Sequence, residues 1–120
     1  PCALPIWREA NIDGSFPYGT TTEGPFLKRP TNVGSYKPNA YGLYDMHGNV
    51  HEWCQDYYAK DYYEKSPAAD PRGPTSGSSR VLRGGSWNNI AQFARSASRV
   101  RDPADVRGSV YGFRVVCELE

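Results

Sequence analysis

The sequence predicts a small α+β domain of irregular build, with short strands, few helices and long ordered loops. Three observations carry that expectation. Gly (12 residues) and Pro (10 residues) interrupt a 120-residue chain too often for long regular elements. Only 38% of the residues are hydrophobic, yet 13% are aromatic and nine are Tyr, so the core is expected to rest on Tyr and Trp. Apolar residues follow a helical period in one stretch only, and a strand-like alternation in another.

In chain order, Asn11 to Tyr41 shows almost no periodicity. It is punctuated by Asp13-Gly14, Phe16-Pro17, Gly24-Pro25, Arg29-Pro30 and Lys37-Pro38, which marks an ordered irregular loop. A helix is expected from Asn49. Val50, Trp53, Cys54 and Tyr57 fall at i, i+3, i+4 and i+7, with Glu52, Gln55 and Asp56 facing away. Asn49 followed by Glu52 fits a capping box. Ser66 to Ser79 reads as a surface loop, and Arg80 to Arg83 as a short strand stopped by Gly84-Gly85. Near the end, Phe113, Val115 and Cys117 alternate with Arg114 and Val116, which predicts a strand. No internal repeat is visible. Pro1 to Ile6 lacks the basic start and apolar run of a signal peptide. Residues 1–9 are expected to be a non-native or upstream remnant, with a native edge strand as the alternative for Pro1 to Ile6.

Several classes are excluded. No apolar run approaches the ~18 residues that cross a bilayer. The aromatic content and a net charge of +1 argue against disorder. The same charge argues against a dedicated nucleic-acid binder. From Ser76 onward seven basic residues, all Arg, face four acidic ones. Arg without Lys points to multi-donor hydrogen bonding with carboxylates and carbonyls, with phosphate as a lesser alternative. Cys2, Cys54 and Cys117 make no closed disulfide framework and no CxxC pair, so they leave the compartment open.

The densest group of ligand-forming residues runs from Tyr44 to Cys54. One reading is zinc on His47, His51 and Cys54, at helical spacing but without a fourth ligand. The other is calcium on the Asp45 and Glu52 carboxylates and backbone carbonyls near Gly48 and Val50, since Ca²⁺ accepts six to eight oxygens in irregular geometry. The bland alternative is that Asp45 and Glu52 only cap a turn and a helix. Ser86 follows Gly-Gly but lacks the flanking glycines of a nucleophile elbow. Cys54, placed on the apolar helix face, reads as inert packing.

Taken together, NAYGLYDMHGNVHEWCQDYY (Asn39 to Tyr58), RVLRGGSW (Arg80 to Trp87), RSASR (Arg95 to Arg99) and YGFRVV (Tyr111 to Val116) closely resemble the formylglycine-generating enzyme, or sulfatase-modifying factor, family. The match begins at ANIDG (Ala10 to Gly14) and runs to the end. It implies a C-type lectin-like fold, with residues 10–120 as the C-terminal part of a longer family domain fused to other modules. It also implies a structural calcium held by positions matching Asp45, Gly48, Val50 and Glu52, the middle two through carbonyls. A second implied site uses Asn11, the carbonyl of Ile12 and a carbonyl near Phe26. Its acidic ligand aligns near Gly24, with Glu23 adjacent.

The enzymatic members of that family oxidise a sulfatase cysteine with Cu(I) held by two thiolates after the GGS motif. The corresponding positions here are Asn89 and Ala94, so copper is not expected, and His51 stands where an aromatic is common. Three functions are carried forward. The first is a non-oxidase, calcium-stabilised binding or accessory domain with a protein or peptide ligand. The second is a formylglycine-generating oxidase or a related iron enzyme. The third is a ligand-binding protein of a diversity-generating retroelement, varied over Trp87 to Phe113. Ile90, Phe93, Val100, Val106, Gly108, Ser109 and Val110 in that stretch are mostly residues reachable from an Asn codon by adenine changes. Trp87, Asn89, Phe93, Arg101, Arg107 and Tyr111 are the ligand-binding candidates. Arg83, Arg95, Arg99 and Arg114 are expected to pin loops by bonding carbonyls and carboxylates.

Overall fold

A computed structural model describes residues 6–117; the expectations for Pro1 to Pro5, and Cys2 with them, lie outside the described residues. The regular elements are few and short. They are β1 (His51–Tyr57), a one-turn helix α1 (Tyr62–Lys65), β2 (Arg80–Arg83), β3 (Val100–Asp102) and β4 (Tyr111–Gly112). Short 3-10 turns cover Ile6–Arg8 and Ala91–Ala94. The strands form one sheet in the order β3-β2-β1-β4, antiparallel except for the parallel β1–β4 pair.

The expected helix from Asn49 is a strand instead. Trp53 pairs with Leu82, Glu52 with Arg83 and also with Gly112, and His51 with Tyr111. The local conformation explains the difference. Gly48 (φ 75°) and Asn49 (φ 62°) are both left-handed, which a first helical turn does not tolerate. Pairing on both edges then outweighs the weak helical preference of His, Trp, Cys and Tyr. The same stretch also holds His51 and Trp53 at i and i+2, which share a face in a strand. Arg80 to Arg83 is a strand as expected, and it leads into Gly84 and Gly85, both at positive φ.

The alternation after Gly112 does not produce a strand. Phe113, Val115 and Val116 are 77%, 83% and 87% exposed, and β4 ends at Gly112. Period-2 patterning makes a strand only where a neighbour pairs with it, and the pairing of β1 with β4 ends at Glu52 and Gly112. Arg114 is drawn instead toward Glu52 and the Tyr44 carbonyl.

The core is also not the aromatic one expected. Its buried apolar residues are Ala10, Ile12, Val81, Leu82, Ala91 and Ala94. Small side chains occupy the places where loops cross the sheet closely. Trp53 stacks on Tyr111 at 5.6 Å, and Trp87 on Phe26 at 6.1 Å, all four half-buried; Ile6 and Trp7 pack against the cluster of Ala10, Ile12, Ala91 and Ala94. Tyr57, Tyr58 and Tyr63 lie under arginine guanidiniums nearer the surface. The long loop expected from Asn11 to Tyr41 is irregular, and its turns are tied by bonds such as Gly14 N to Pro25 O (3.1 Å) and Gly24 N to Gly14 O (2.8 Å).

Candidate functional site

The chain from Asp45 to Glu52 leaves a turn, passes through two left-handed residues and enters β1. Gly48 is required at this crossing. A Cβ there would lie 2.3 Å from the Asn11 carbonyl oxygen, and Gly48 N donates to Gly84 O at 2.7 Å. Asn49, only 4% exposed, follows as a buried hub. Its backbone N donates to Asn11 O (2.7 Å), and its carbonyl accepts from Trp87 N (2.8 Å). Its Oδ1 accepts from Thr31 N (2.9 Å).

Asp45, Gly48, Val50 and Glu52 line one cavity of about 230 Å³, together with Tyr44, Asn49 and Arg114. The Asp45 carboxylate accepts from Gly34 N at 2.7 Å. Glu52 receives Arg114 in a forked pair, with Nη2 to Oε1 at 2.7 Å and Nε to Oε2 at 3.0 Å. These bonds hold the Arg114 guanidinium above its usual pKa, chiefly through Glu52. The two expected carboxylates and the two expected peptide units thus meet at one opening, with a cation already on one wall.

Of the second expected group, Asn11 and Ile12 are buried neighbours, while Phe26 stacks on Trp87 and follows Pro25, whose carbonyl accepts from Gly14 N. Asn11 is 2% exposed, and its Nδ2 donates to Arg29 O (2.9 Å) and Asn49 Oδ1 (3.3 Å). Its Oδ1 is buried with no hydrogen-bond partner. A buried oxygen left without a donor costs about 1–3 kcal/mol unless something supplies positive charge. Asp13, 8% exposed, is an acid in this region that sequence spacing did not flag; its Oδ1 accepts from Ser15 N at 3.0 Å. No side chain fits at Gly24 in this arrangement, since a Cβ would overlap the Trp7 ring at 2.3 Å.

Zinc has no ligand set of the expected kind. Among the described residues no three His, Cys, Asp or Glu side chains converge. In β1 the helical spacing is lost. His51 is buried opposite Tyr111, while His47 holds the Ala94 carbonyl through Nδ1 at 2.7 Å. Burial lowers the His51 pKa below its ordinary value, against smaller raising effects from Asn89, Asp102 and Arg83. Cys54 is half-buried, and burial raises its thiol pKa, with Asp56 adding to the rise.

The turn after Gly84-Gly85 is a closed polar knot. Ser86 is fully buried, its Oγ 2.7 Å from Asn88 Oδ1 and 2.9 Å from Asn89 Oδ1. Asn89 Oδ1 also accepts from Ser86 N (3.0 Å), and Asn89 O accepts from Asp13 N (2.9 Å). Ala94 is fully buried against Gly85. Ser86 therefore sits as a brace, its hydroxyl committed to Asn88 and Asn89.

The six ligand-binding candidates do not form one patch. Arg107 and Tyr111 line a cavity of about 470 Å³ with Trp53, Val106, Phe113 and Arg80. Tyr111 donates its hydroxyl to Asp102 at 3.0 Å, which raises its pKa. Trp87 stacks on Phe26 and donates Nε1 to Ser109 O (3.1 Å). Asn89 is spent on Ser86, Phe93 is half exposed, and Arg101 lies over the Tyr58 ring at 4.9 Å. Trp53 is the member of the 470 Å³ cavity that pattern reading assigned to packing; its place between Leu82 and Tyr111 is visible only once strand register is known. The four arginines expected to pin loops do so: Arg83 on Ser96 O, Arg95 on Gln92 O, Arg99 on Ala59 O and Arg114 on Glu52.

Comparison with known proteins agrees with this architecture. The chain is 40% identical over 111 residues to a formylglycine-generating enzyme of Streptomyces coelicolor, covering 90% of this chain and 35% of that protein. It is 50% identical over 91 residues to the serine/threonine-protein kinase pkn1 of Chlamydia pneumoniae, covering 74% of this chain but 15% of the kinase. The structure matches Treponema denticola variable protein 1 with a TM-score of 0.70 and 35% identity, over 90% of this chain and 35% of that one. It also matches PvdO from Pseudomonas aeruginosa with a TM-score of 0.71 and 30% identity, over 88% of this chain and 38% of that one. The chain thus spans between 15% and 38% of the length of each of these proteins. A family model described as the sulfatase-modifying factor enzyme 1-like domain matches residues 5–119, and the chain belongs to that family.

Proposed function

We propose that this chain is a calcium-stabilised binding or accessory domain of the sulfatase-modifying factor family, and that it does not form formylglycine by copper chemistry. The observation that carries the calcium half is the shared cavity of Asp45, Gly48, Val50 and Glu52. Two carboxylates and two peptide carbonyls are oxygen donors of the type Ca²⁺ takes. A bound ion would neutralise the two acids and tie the turn at Asp45 to β1. The unpartnered Asn11 Oδ1 supports a second oxygen site with Ile12 and Phe26.

The positions that match the copper ligands of the enzymes support the other half. Asn89 offers a carbonyl oxygen already used by Ser86, and Ala94 offers no donor. Neither supplies the soft sulfur that holds Cu(I). Cys54 lies in β1 and Cys117 in the exposed C-terminal segment, neither at the two matching positions. The test is an aldehyde assay on a Cys-x-Pro-x-Arg peptide with copper supplied. No product is expected, and turnover would establish the oxidase reading instead.

A second reading, a diversified ligand-binding protein, is favoured by the 35% identity to Treponema denticola variable protein 1. Ala104, Val106, Arg107, Gly108, Tyr111, Gly112 and Phe113, all within Trp87 to Phe113, line the 470 Å³ cavity. Adenine-directed changes confined to that stretch across isolates, with a neighbouring reverse transcriptase, would establish it.

A further inference from the structure

The cavity of about 470 Å³ has the size of a small-ligand site, and its apolar wall is fixed before anything binds. Trp53 and Tyr111, on the paired strands β1 and β4, stack at 5.6 Å with 23° between their planes. The Tyr111 hydroxyl donates to Asp102 at 3.0 Å, so that ring is tied at its far end as well. Val106 and the largely exposed ring of Phe113 extend the same lining. Rings held in this way suit another ring, which gains from offset or edge-to-face contact beyond the area it buries.

The charge of the lining has one sign. Arg80 and Arg107 are its charged residues, and no Asp or Glu is among them. The Asp102 carboxylate is engaged by the Tyr111 hydroxyl and is not part of the lining. Cys54, which is part of it, keeps its proton because burial raises its thiol pKa. Neither arginine is in an ion pair; the ion pairs among the described residues are Lys65–Asp61 and Arg114–Glu52. Arg80 donates Nη1 to the Gln55 carbonyl and lies 3.7 Å over the Tyr57 ring. Arg107 is exposed, and its Nη1 contacts two carbonyls of its own loop, Val106 O at 3.2 Å and Ala104 O at 3.4 Å. Those carbonyls hold Arg107 beside the cavity through one of its three nitrogens, and a guanidinium has donors left for a forked bond to a carboxylate.

We infer that this cavity binds an aromatic carboxylate, its ring against Trp53 and Tyr111 and its carboxylate on Arg107, with Arg80 adding a second positive charge. A free aromatic acid and the C-terminal aromatic residue of a peptide present this same chemistry. A nucleotide fits less well, because the lining comes from strands and one loop, without the helix N-terminus that phosphate sites use. The inference rests on the reading of the chain as a binding domain and names its ligand class. It does not depend on calcium, since the cavity at Asp45 shares only Phe113 with this one.

The test is a chemical-shift titration of the chain with phenylacetate, phenylacetamide, cyclohexylacetate and adenosine monophosphate. The expected result is saturable shifts at the Trp53 indole N–H and at the amides from Val106 to Phe113. Phenylacetate is expected to bind about tenfold tighter than phenylacetamide and about fivefold tighter than cyclohexylacetate. Arg107 is exposed, so Arg107→Gln removes the preference for acid over amide while the ring preference and the calcium response of the melting temperature stay as they were. That pattern separates loss of the carboxylate contact from a folding or calcium failure. The peptide Gly-Gly-Phe distinguishes the sources: binding tighter than phenylacetate, and lost on C-terminal amidation, supports a chain end, and the reverse order supports a free acid. Equal affinity for acid and amide, an acid preference unchanged in Arg107→Gln, or tighter binding of adenosine monophosphate overturns the inference and leaves a binding domain standing. Shifts that saturate with none of the probes, or only at other residues, overturn the cavity as a binding site.

Discussion

Asn49 and Asn11 are joined twice, by Asn49 N to Asn11 O at 2.7 Å and by Asn11 Nδ2 to Asn49 Oδ1 at 3.3 Å. The pair fastens the N-terminal loop to the entry of β1, and so holds the two candidate oxygen sites against each other. Asn49→Ala removes the side-chain acceptor that Thr31 and Asn11 share and puts a less tolerant residue at φ 62°. We expect a loss of about 2–4 kcal/mol in unfolding free energy, read by urea denaturation.

Gly48→Ala tests the same crossing by steric means. Its added methyl meets the Asn11 carbonyl at 2.3 Å and forces a Cβ into a left-handed residue. A cost of at least about 2 kcal/mol is expected, exceeding that of Gly19→Ala. At Gly19 the φ is also positive, but no atom lies within 4 Å of the new methyl. Equal costs at the two positions would mean that the close approach to Asn11 contributes nothing.

Glu52 is shared between Arg114 and the proposed ion. Arg114→Gln removes the forked pair, whose side chains are 33% and 22% exposed, at a cost of about 1 kcal/mol without calcium. It also removes the competing cation from the cavity. Calorimetric titration should therefore show tighter calcium binding in Arg114→Gln than in the parent chain, and weaker binding in Glu52→Gln.

His51 predicts the acid limb of stability. Its folded pKa is lowered by burial, so the unfolded chain takes up the proton first. Its contribution is complete above the unfolded value near 6.5 and falls as pH drops through the window beneath it. The slope from one such group is at most about 1.4 kcal/mol per pH unit. In EGTA, denaturation at pH 7 and pH 5 should show this loss in the parent chain and a smaller one in His51→Gln.

What was legible in the sequence follows the range of the interactions. Arg80 to Arg83 and the Gly84-Gly85 stop are local, and short-range pattern reading found both. The arginine roles were also legible, because a loop-rich chain must satisfy carbonyls with side chains. β1 was not, because Val50, Trp53, Cys54 and Tyr57 satisfy a helical period while His51 and Trp53 satisfy a strand. Gly48-Asn49, a dipeptide prone to positive φ, was the local signal that decides between them. The forked bond of Arg114 to Glu52 spans 62 residues and has no local signature. The C-terminal alternation predicted a strand whose pairing depends on neighbours the pattern does not contain. Asp45, Gly48, Val50 and Glu52 line one cavity although the element there is a strand and not the expected helix, because the turn at Asp45 and the start of β1 remain neighbours in either conformation.

The most direct test of the account is thermal unfolding in EGTA and in saturating calcium, for the parent chain and for Asp45→Ala. Calcium at about a hundred times its dissociation constant adds ~2.7 kcal/mol, or about 10 °C for a chain of this size. The parent is expected to gain that stabilisation and Asp45→Ala to lose most of it. An identical melting temperature with and without calcium in the parent chain, or an undiminished gain in Asp45→Ala, would contradict the assignment.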